Sequence, residues 1–357
     1  MRKLQELREK IDRIDDQLLT LINRRATLAV RIGQEKSRQN TSGHFHVPHR
    51  EREIIDRLIR QSTGPFCADA IESVFREIFS ATLALEKPLN IGYLGPETTF
   101  SHQAALKHFG HSSSFTPFNN IESIFSAVEQ GNCHYGVVPV ENSIEGVINL
   151  TLDCFVDSPV LICDEAVMGI SLNLLSREKS LANIRKIYSH PQPFAQCRAW
   201  LNQNLPHAEQ APASSTAQAA EMAEKDEGSA AISGRLAAEV YKLNILAENI
   251  QDQTENHTRF LIIGRDKTKR AKRNKTSIMF SIRDESGTLL KALQLFARNK
   301  INLTKIQSRP LKNRQWEYLF FVDFEGHIDD KTVARVLAAL EKMSLFMRVL
   351  GSYPRKN

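Results

Sequence analysis

From Leu4 to Ile32 the apolar residues recur at spacings of three and four, through Leu7, Ile11, Ile14, Leu18, Leu21 and Leu28. That period marks one face of an α-helix. No glycine or proline interrupts it before Gly33, so the pattern predicts one helix about 50 Å long. Such a helix cannot bury its stripe by compact folding inside residues 1–88. It requires a partner helix from a second chain.

Arg25 takes an apolar position of this stripe, with Leu21, Ile22, Leu28 and Ala29 as its helical neighbours. A buried guanidinium is costly unless an anion meets it. Arg25 therefore reaches out to solvent, pairs with an acid on another helix, or helps to form an anion site. Lys36 returns to the same face roughly 16 Å along the helix. Arg8 points about 100° away from Arg25, so the two cannot share a ligand on one helix, and an antiparallel copy could supply Arg8. Two cationic clamps at separated ends suit a small dianion held between two chains.

The 357 residues predict two or three domains. Residues 1–88 are helical in pattern. From residue 89, short apolar strands (LNIGYLG, HYGVVPV, IRKIYS, RFLIIG) alternate with helical stretches. This predicts an α/β domain over 89–266 with a largely parallel sheet. After a basic linker, 267–276, the order over 277–357 is βαββαβ, the ferredoxin-like split unit.

RDKTKRAKRNKT, residues 265–276, holds seven basic residues and one acid; removing them from 47 basic and 41 acidic residues leaves 40 of each. A single basic run without a groove-reading motif reads as a solvated linker, and no nucleic-acid partner is expected. At 41% apolar and 25% charged, the composition is that of a soluble globular protein. No apolar run approaches the ~18 residues of a membrane span, and MRKLQELREK has no signal-peptide hydrophobic region. Cys67, Cys133, Cys154, Cys163 and Cys197 form no CxxC pair, which predicts reduced thiols in a cytoplasmic protein. His44, His46 and His49 cluster without a supporting ligand set, so no metal is expected.

The α/β segment repeats one device. PETTF leads into SHQAALKHF, with Ser101 a good N-cap. YGVVPV leads into ENSIEG, KIYS into HPQP with Pro193 in a first helical turn, and NHT into RFLIIG. Each sets polar groups at strand ends or helix N-termini, where anions bind. Taken singly, such residues only cap helices and shape turns. GxGxxG and P-loop patterns are absent, so no cofactor is expected.

LREKIDRIDDQLLTLINRRATLAVRIGQEK, PHREREII and FREIFSATLALEK together resemble the all-helical chorismate mutase family, an intertwined dimer. The resemblance implies that Arg25 and Arg8 of the partner subunit hold the two carboxylates of chorismate. Lys36 and Glu86 would act at the ether oxygen, and Glu51 would accept the ring hydroxyl, with Arg50 beside it and Thr82 one turn before Glu86. Val47 replaces a frequent aspartate of the family, and Glu86 a frequent glutamine. LGPETTFSHQAA, VVPVENSIEG, YSHPQPFAQC and TENHTRFLII resemble prephenate dehydratase. That implies two α/β lobes, as in periplasmic binding proteins, with crossings near residues 165 and 247. Thr258 would be essential at the leaving hydroxyl, Glu141, Asn142, Ser189 and Gln196 would line the site, and Ser101, Ser215 and Thr216 would bind carboxylates.

DESGTLLKAL and KIQSRP resemble the ACT domain. This implies L-phenylalanine held between two modules by Gly287, Thr288, Leu289 and Leu290 with Gln307, Ser308, Arg309 and Pro310. Gln307 and Thr288 depart from the usual glutamate and alanine. The three resemblances imply an isomerase and lyase of phenylalanine biosynthesis, a homodimer or larger, turning chorismate through prephenate into phenylpyruvate under phenylalanine feedback. Its rivals are a dehydratase with a weak or inactive mutase domain, a non-catalytic binding protein with the same two-lobed cleft, a non-catalytic ACT-containing amino-acid sensor, and an ACT regulator using the basic run on nucleic acid.

Overall fold

The computed structural model describes residues 2–38, 48–86, 88–253, 255–310 and 318–355. Val47, His44, His46 and the side chains of Lys36 and His49 lie outside the described residues. Residues 1–89 with 108–114 form one compact unit, and 90–107 with 115–357 a second.

The first unit holds α1 (Arg2–Arg38), α2 (Pro48–Gln61) and α3 (Ala68–Glu86). At 37 residues, α1 is about 55 Å long. Its stripe is uncovered: Leu4, Leu7, Ile11, Ile14, Leu18 and Leu21 are 49–59% exposed. The small core is Ile55, Ile71, Phe79 and Leu89. Arg76 on α3 donates to the His108 carbonyl (3.1 Å) and Glu77 meets the His111 ring (2.8 Å), which fixes residues 108–114 to the helices.

The second unit begins with a lobe made of β1 (Asn90–Leu94), α4 (Phe100–Phe109), β2 (Ser114–Phe118), α5 (Ile121–Glu129), β3 (Tyr135–Asn142), β4 (Gly146–Val147), α6 (Asn149–Asp157) and β5 (Leu161–Gly169). A second lobe follows, with β6 (Asn173–Ser176), β7 (Lys186–Ser189), α7 (Pro191–Gln196), α8 (Arg198–Asn204), β8 (Glu209–Pro212), α9 (Thr216–Lys225), β9 (Ser229–Ser233), α10 (Arg235–Val240) and β10 (Asn244–Ala247). The chain then returns to the first lobe as β11 (His257–Gly264). The sheets run β2-β1-β3-β11-β5 and β10-β6-β9-β7-β8.

The expected largely parallel sheet is corrected to two mixed sheets. β1 and β3 are parallel, but the returning β11 enters between β3 and β5 antiparallel to both. The first crossing also lies later than expected, at 170–172, because residue 165 is inside β5 and paired with Leu261 of β11. The second crossing spans 248–256.

The third architecture comprises β12 (Asn274–Ser281), α11 (Thr288–Arg298), β13 (Leu303–Pro310), β14 (Tyr318–Glu325), α12 (Lys331–Met343) and β15 (Phe346–Pro354), with sheet order β13-β14-β12-β15. This is the expected ferredoxin-like order. Met279, Leu319, Phe321, Leu350 and Tyr353 of its sheet share one core with Val138, Ile162, Leu261 and Ile263 of the first lobe. A Cβ on Gly351 would stand 2.1 Å from the Ile162 carbonyl oxygen, so this close approach needs glycine. Residues 265–273 are mostly exposed but tied at two points: Thr268 donates to the Cys163 carbonyl (3.0 Å) and Arg270 pairs with Asp330 (2.7 Å). Residues 274–276 of the expected linker already belong to β12. Among the described residues no helix is long and apolar enough to cross a membrane.

Candidate active sites

In the helical unit, Arg25 turns from the exposed stripe towards α3. Its Nη1 donates to Thr82 Oγ1 (2.9 Å), and its guanidinium carbon lies 4.8 Å from the centre of the Phe79 ring. Burial lowers the Arg25 pKa, and the charge of Glu51 opposes that shift. Thr82 is buried and donates in turn to the Ile78 carbonyl (2.6 Å). One turn on, the Glu86 carboxylate lies over Gly33, where a Cβ would come within 2.6 Å of its oxygen. One chain thus gathers Arg25, Glu51, Thr82 and Glu86. It leaves Arg50 exposed beside Glu53 (3.3 Å), and Arg8 exposed, about 26 Å from Arg25 along the helix.

In the α/β unit, a cavity of about 420 Å³ opens between the two lobes, within the usual size of small-molecule sites. Ser101, Asn142, Gln196, Ser215, Thr216 and Thr258 all line it. The alternation of a strand explains their aim. In register, Asn142 pairs with Thr258 and Glu141 with Arg259. Successive side chains of a strand point to opposite faces, so the first pair faces the cavity and the second faces the ferredoxin-like sheet. Glu141 accordingly meets Lys305 of β13 (2.8 Å) and is not among the lining residues. Arg259 reaches Glu165 (2.8 Å) and Asp323 (2.7 Å). Burial alone would lower its pKa, but Tyr353, Asp323 and Glu165 outweigh burial and raise it.

Ser189 is fully buried and not among the lining residues, donating to the Ile232 carbonyl (3.3 Å). Ser101 does not cap α4. The helix begins one residue earlier, and Thr99 Oγ1 accepts the His102 amide instead (3.3 Å). Ser215 does cap α9, accepting from the Gln218 amide (3.0 Å).

Asn142 Nδ2 donates to Thr258 Oγ1 and to Asn256 Oδ1, both at 2.9 Å. With its oxygen accepting, the Thr258 hydroxyl keeps its proton for donation into the cavity. Asn256, Glu145, Gln192 and Thr99 also line the cavity, and no sequence pattern singles them out. Glu145 and Asn256 stand inside the quoted ENSIEG and TENHT segments, where nothing local separates them from turn residues. Among the described lining residues there is no lysine or arginine. These described residues present hydroxyls, amides and the N-terminus of α9 to the cavity.

In the ferredoxin-like sheet, Gly287 precedes α11 with φ +81, and Thr288, Leu289 and Leu290 open that helix. Gln307, Ser308, Arg309 and Pro310 end β13, the edge strand, and Arg309 pairs with Asp153 of α6 (3.1 Å).

Three families match the chain: Chorismate mutase type II over residues 7–87, Prephenate dehydratase over 91–268 and ACT domain over 276–342. A bifunctional chorismate mutase/prephenate dehydratase from Aquifex aeolicus is 49% identical, covering 99% of both chains. The protein of that description from Pseudomonas aeruginosa is 42% identical over 99% of this chain and 98% of its own. A prephenate dehydratase from Arthrobacter aurescens, solved in complex with L-Phe, superposes with a TM-score of 0.70. It is 34% identical and covers 75% of this chain and 90% of its own.

Proposed function

The chain belongs to the family of bifunctional chorismate mutase/prephenate dehydratases with an ACT regulatory domain, and from that premise we propose how its residues divide the two reactions. In the mutase, Arg25 and Arg8 of the partner subunit hold the carboxylates of chorismate, and Lys36 and Glu86 act at the ether oxygen. Glu51 receives the ring hydroxyl. No residue attacks the substrate; restraint and charge stabilisation at the breaking C–O bond lower the barrier. The uncovered stripe of α1 supports a homodimer, because an apolar surface of that length needs a cover.

In the dehydratase, the bond from the ring to its carboxylate breaks and releases CO2. Its electron pair completes the aromatic ring as the C–OH bond breaks, and the departing hydroxide takes a proton to leave as water. Thr258 donates a hydrogen bond to that hydroxyl, and Asn142 holds the Thr258 oxygen in place. Ser101, Ser215 and Thr216 bind carboxylate. The Thr258–Asn142 bond at the wall of the interlobe cavity is the observation that carries this reading. L-phenylalanine is the effector of the ACT domain, and the free thiols accord with a cytoplasmic setting. Purified protein given chorismate should form prephenate and then phenylpyruvate, the second step slowing on addition of L-phenylalanine. Prephenate that accumulates without phenylpyruvate would defeat the dehydratase assignment.

A further inference from the structure

Glu145 has no part in the reaction just described, yet it is a carboxylate on the wall of a cavity that receives a dianion. We propose that Glu145 is a positioning residue of the dehydratase, which orients the Gln196 amide and, through Asn256 and Asn142, the Thr258 hydroxyl. The inference rests on the role given to Thr258 above.

The hydrogen bonds form one string with a single direction. Asn142 Oδ1 accepts the backbone N–H groups of Ile144 (2.9 Å) and Glu145 (3.1 Å), which commits its Nδ2 to donation. Nδ2 donates to Thr258 and to Asn256 Oδ1. Asn256 Nδ2 then donates to Gln196 Oε1 (3.2 Å), and Gln196 Nε2 to Glu145 Oε1 (3.0 Å). A carboxylate only accepts, so Glu145 sets the far end as firmly as two backbone amides set the near one. Bonds in such a chain polarise one another. The string also joins the lobes: Gln196 comes from α7, Asn256 from the returning crossing, and the other three from the first lobe. Gln192 of α7 donates to the second Glu145 oxygen. Without Glu145 the Gln196 amide is free to turn over, and Asn256, only 2% exposed, then loses its acceptor.

The test is steady-state turnover of prephenate by full-length E145A, E145Q, Q196A and E145A/Q196A. Glu145 is exposed, and thermal unfolding of the same chains reports intact folding. E145A should lower kcat about tenfold, the scale of one lost hydrogen bond, with KM nearly unchanged. E145Q should restore kcat to within about threefold of wild type, since its amide oxygen still accepts from Gln196. In the Q196A background, E145A should add almost nothing. Equal effects of E145A and E145Q, a change carried by KM, or additive losses would each overturn the proposal. Wild-type turnover by E145A or by Q196A would overturn it and leave the Thr258 reading standing, whereas wild-type turnover by T258A would overturn both.

Discussion

The helical unit and the interlobe cavity solve the same problem, holding a small dianion, in opposite ways. The helical site is cationic and unfinished within one chain: Arg25 is in place, Arg8 is about 26 Å away along α1, and the stripe between them is uncovered. The cavity is lined by residues of a single chain, and among the described ones there is no lysine or arginine. On the proposed reading a second copy supplies both wall and charge, since the helices of one chain leave the apolar stripe of the 37-residue α1 uncovered. Two lobes of one chain enclose the cavity, and on the proposed reading neutral donors at strand ends and at the start of α9 hold the substrate there.

The largest effects should separate the two regions. Arg25→Ala should reduce mutase turnover at least about 10²-fold and spare the dehydratase, because it removes a partly buried charged donor. Thr258→Ala should do the reverse and stop the sequence at prephenate. Joint loss of both activities in either variant would indicate damage to the fold. The comparison breaks further on mixing. Arg8→Ala and Arg25→Ala chains are each inactive as mutases, but after subunit exchange in equal amounts about a quarter of wild-type activity should return, since half the dimers are mixed and each has one intact site. No recovery would mean that Arg8 and Arg25 do not act across two chains.

How legible each region is in the sequence follows from its period. A long helical stripe makes one misplaced residue conspicuous, so Arg25 stands out by its position alone. Strands are too short to expose an outlier, and the cavity residues are legible through resemblance rather than pattern. Period two nevertheless carries information about them. Glu141 and Asn142 are adjacent, so only one can face the cavity, and Glu141 turns to Lys305. Glu145 and Asn256 are illegible because their roles depend on partners about 50 to 115 residues away. Sheet direction is illegible for the same reason: the return of β11 from the other lobe is a tertiary event.

A middle-sized effect tests the face that Glu141 does present. Lys305 lies two residues before Gln307 of the expected effector segment, and its partner Glu141 adjoins Asn142, which holds Thr258. Lys305→Met should keep prephenate turnover and weaken L-phenylalanine inhibition about threefold to tenfold, within the usual range of coupling energies. Calorimetry should still detect phenylalanine binding. Unchanged inhibition would remove this ion pair from the coupling.

The helical site should also accept one exchange that improves its donor. To stabilise negative charge on the ether oxygen, residue 86 must donate a hydrogen bond, which an amide always can and a carboxylate cannot. Glu86→Gln should therefore raise mutase turnover severalfold and leave the dehydratase unchanged. Mutase turnover that the substitution leaves unchanged would remove Glu86 from the ether oxygen.

The smallest effect concerns the segment that leaves the α/β fold to join the helices. Burial raises the Glu77 pKa, but hydrogen bonds from the His111 ring and backbone, with the charges of His111 and Arg76, outweigh it and lower the net value. The folded pKa thus lies below the unfolded one, about 4.3 for a glutamate. The stabilisation is complete above that pH and disappears as pH falls through the folded value. Glu77 is about half exposed, so solvent screens the pair, and its contribution belongs with weak surface ion pairs. The His111 amide donates to Glu77 (3.1 Å), which makes its hydrogen exchange a local reporter of opening. After correction for intrinsic rates, Glu77→Gln should speed that exchange about twofold to fivefold at neutral pH, the scale of a surface pair, and the difference should close as pH falls through the folded Glu77 pKa. Equal protection in both proteins at neutral pH would mean that Glu77 does not hold residues 108–114 to the helices.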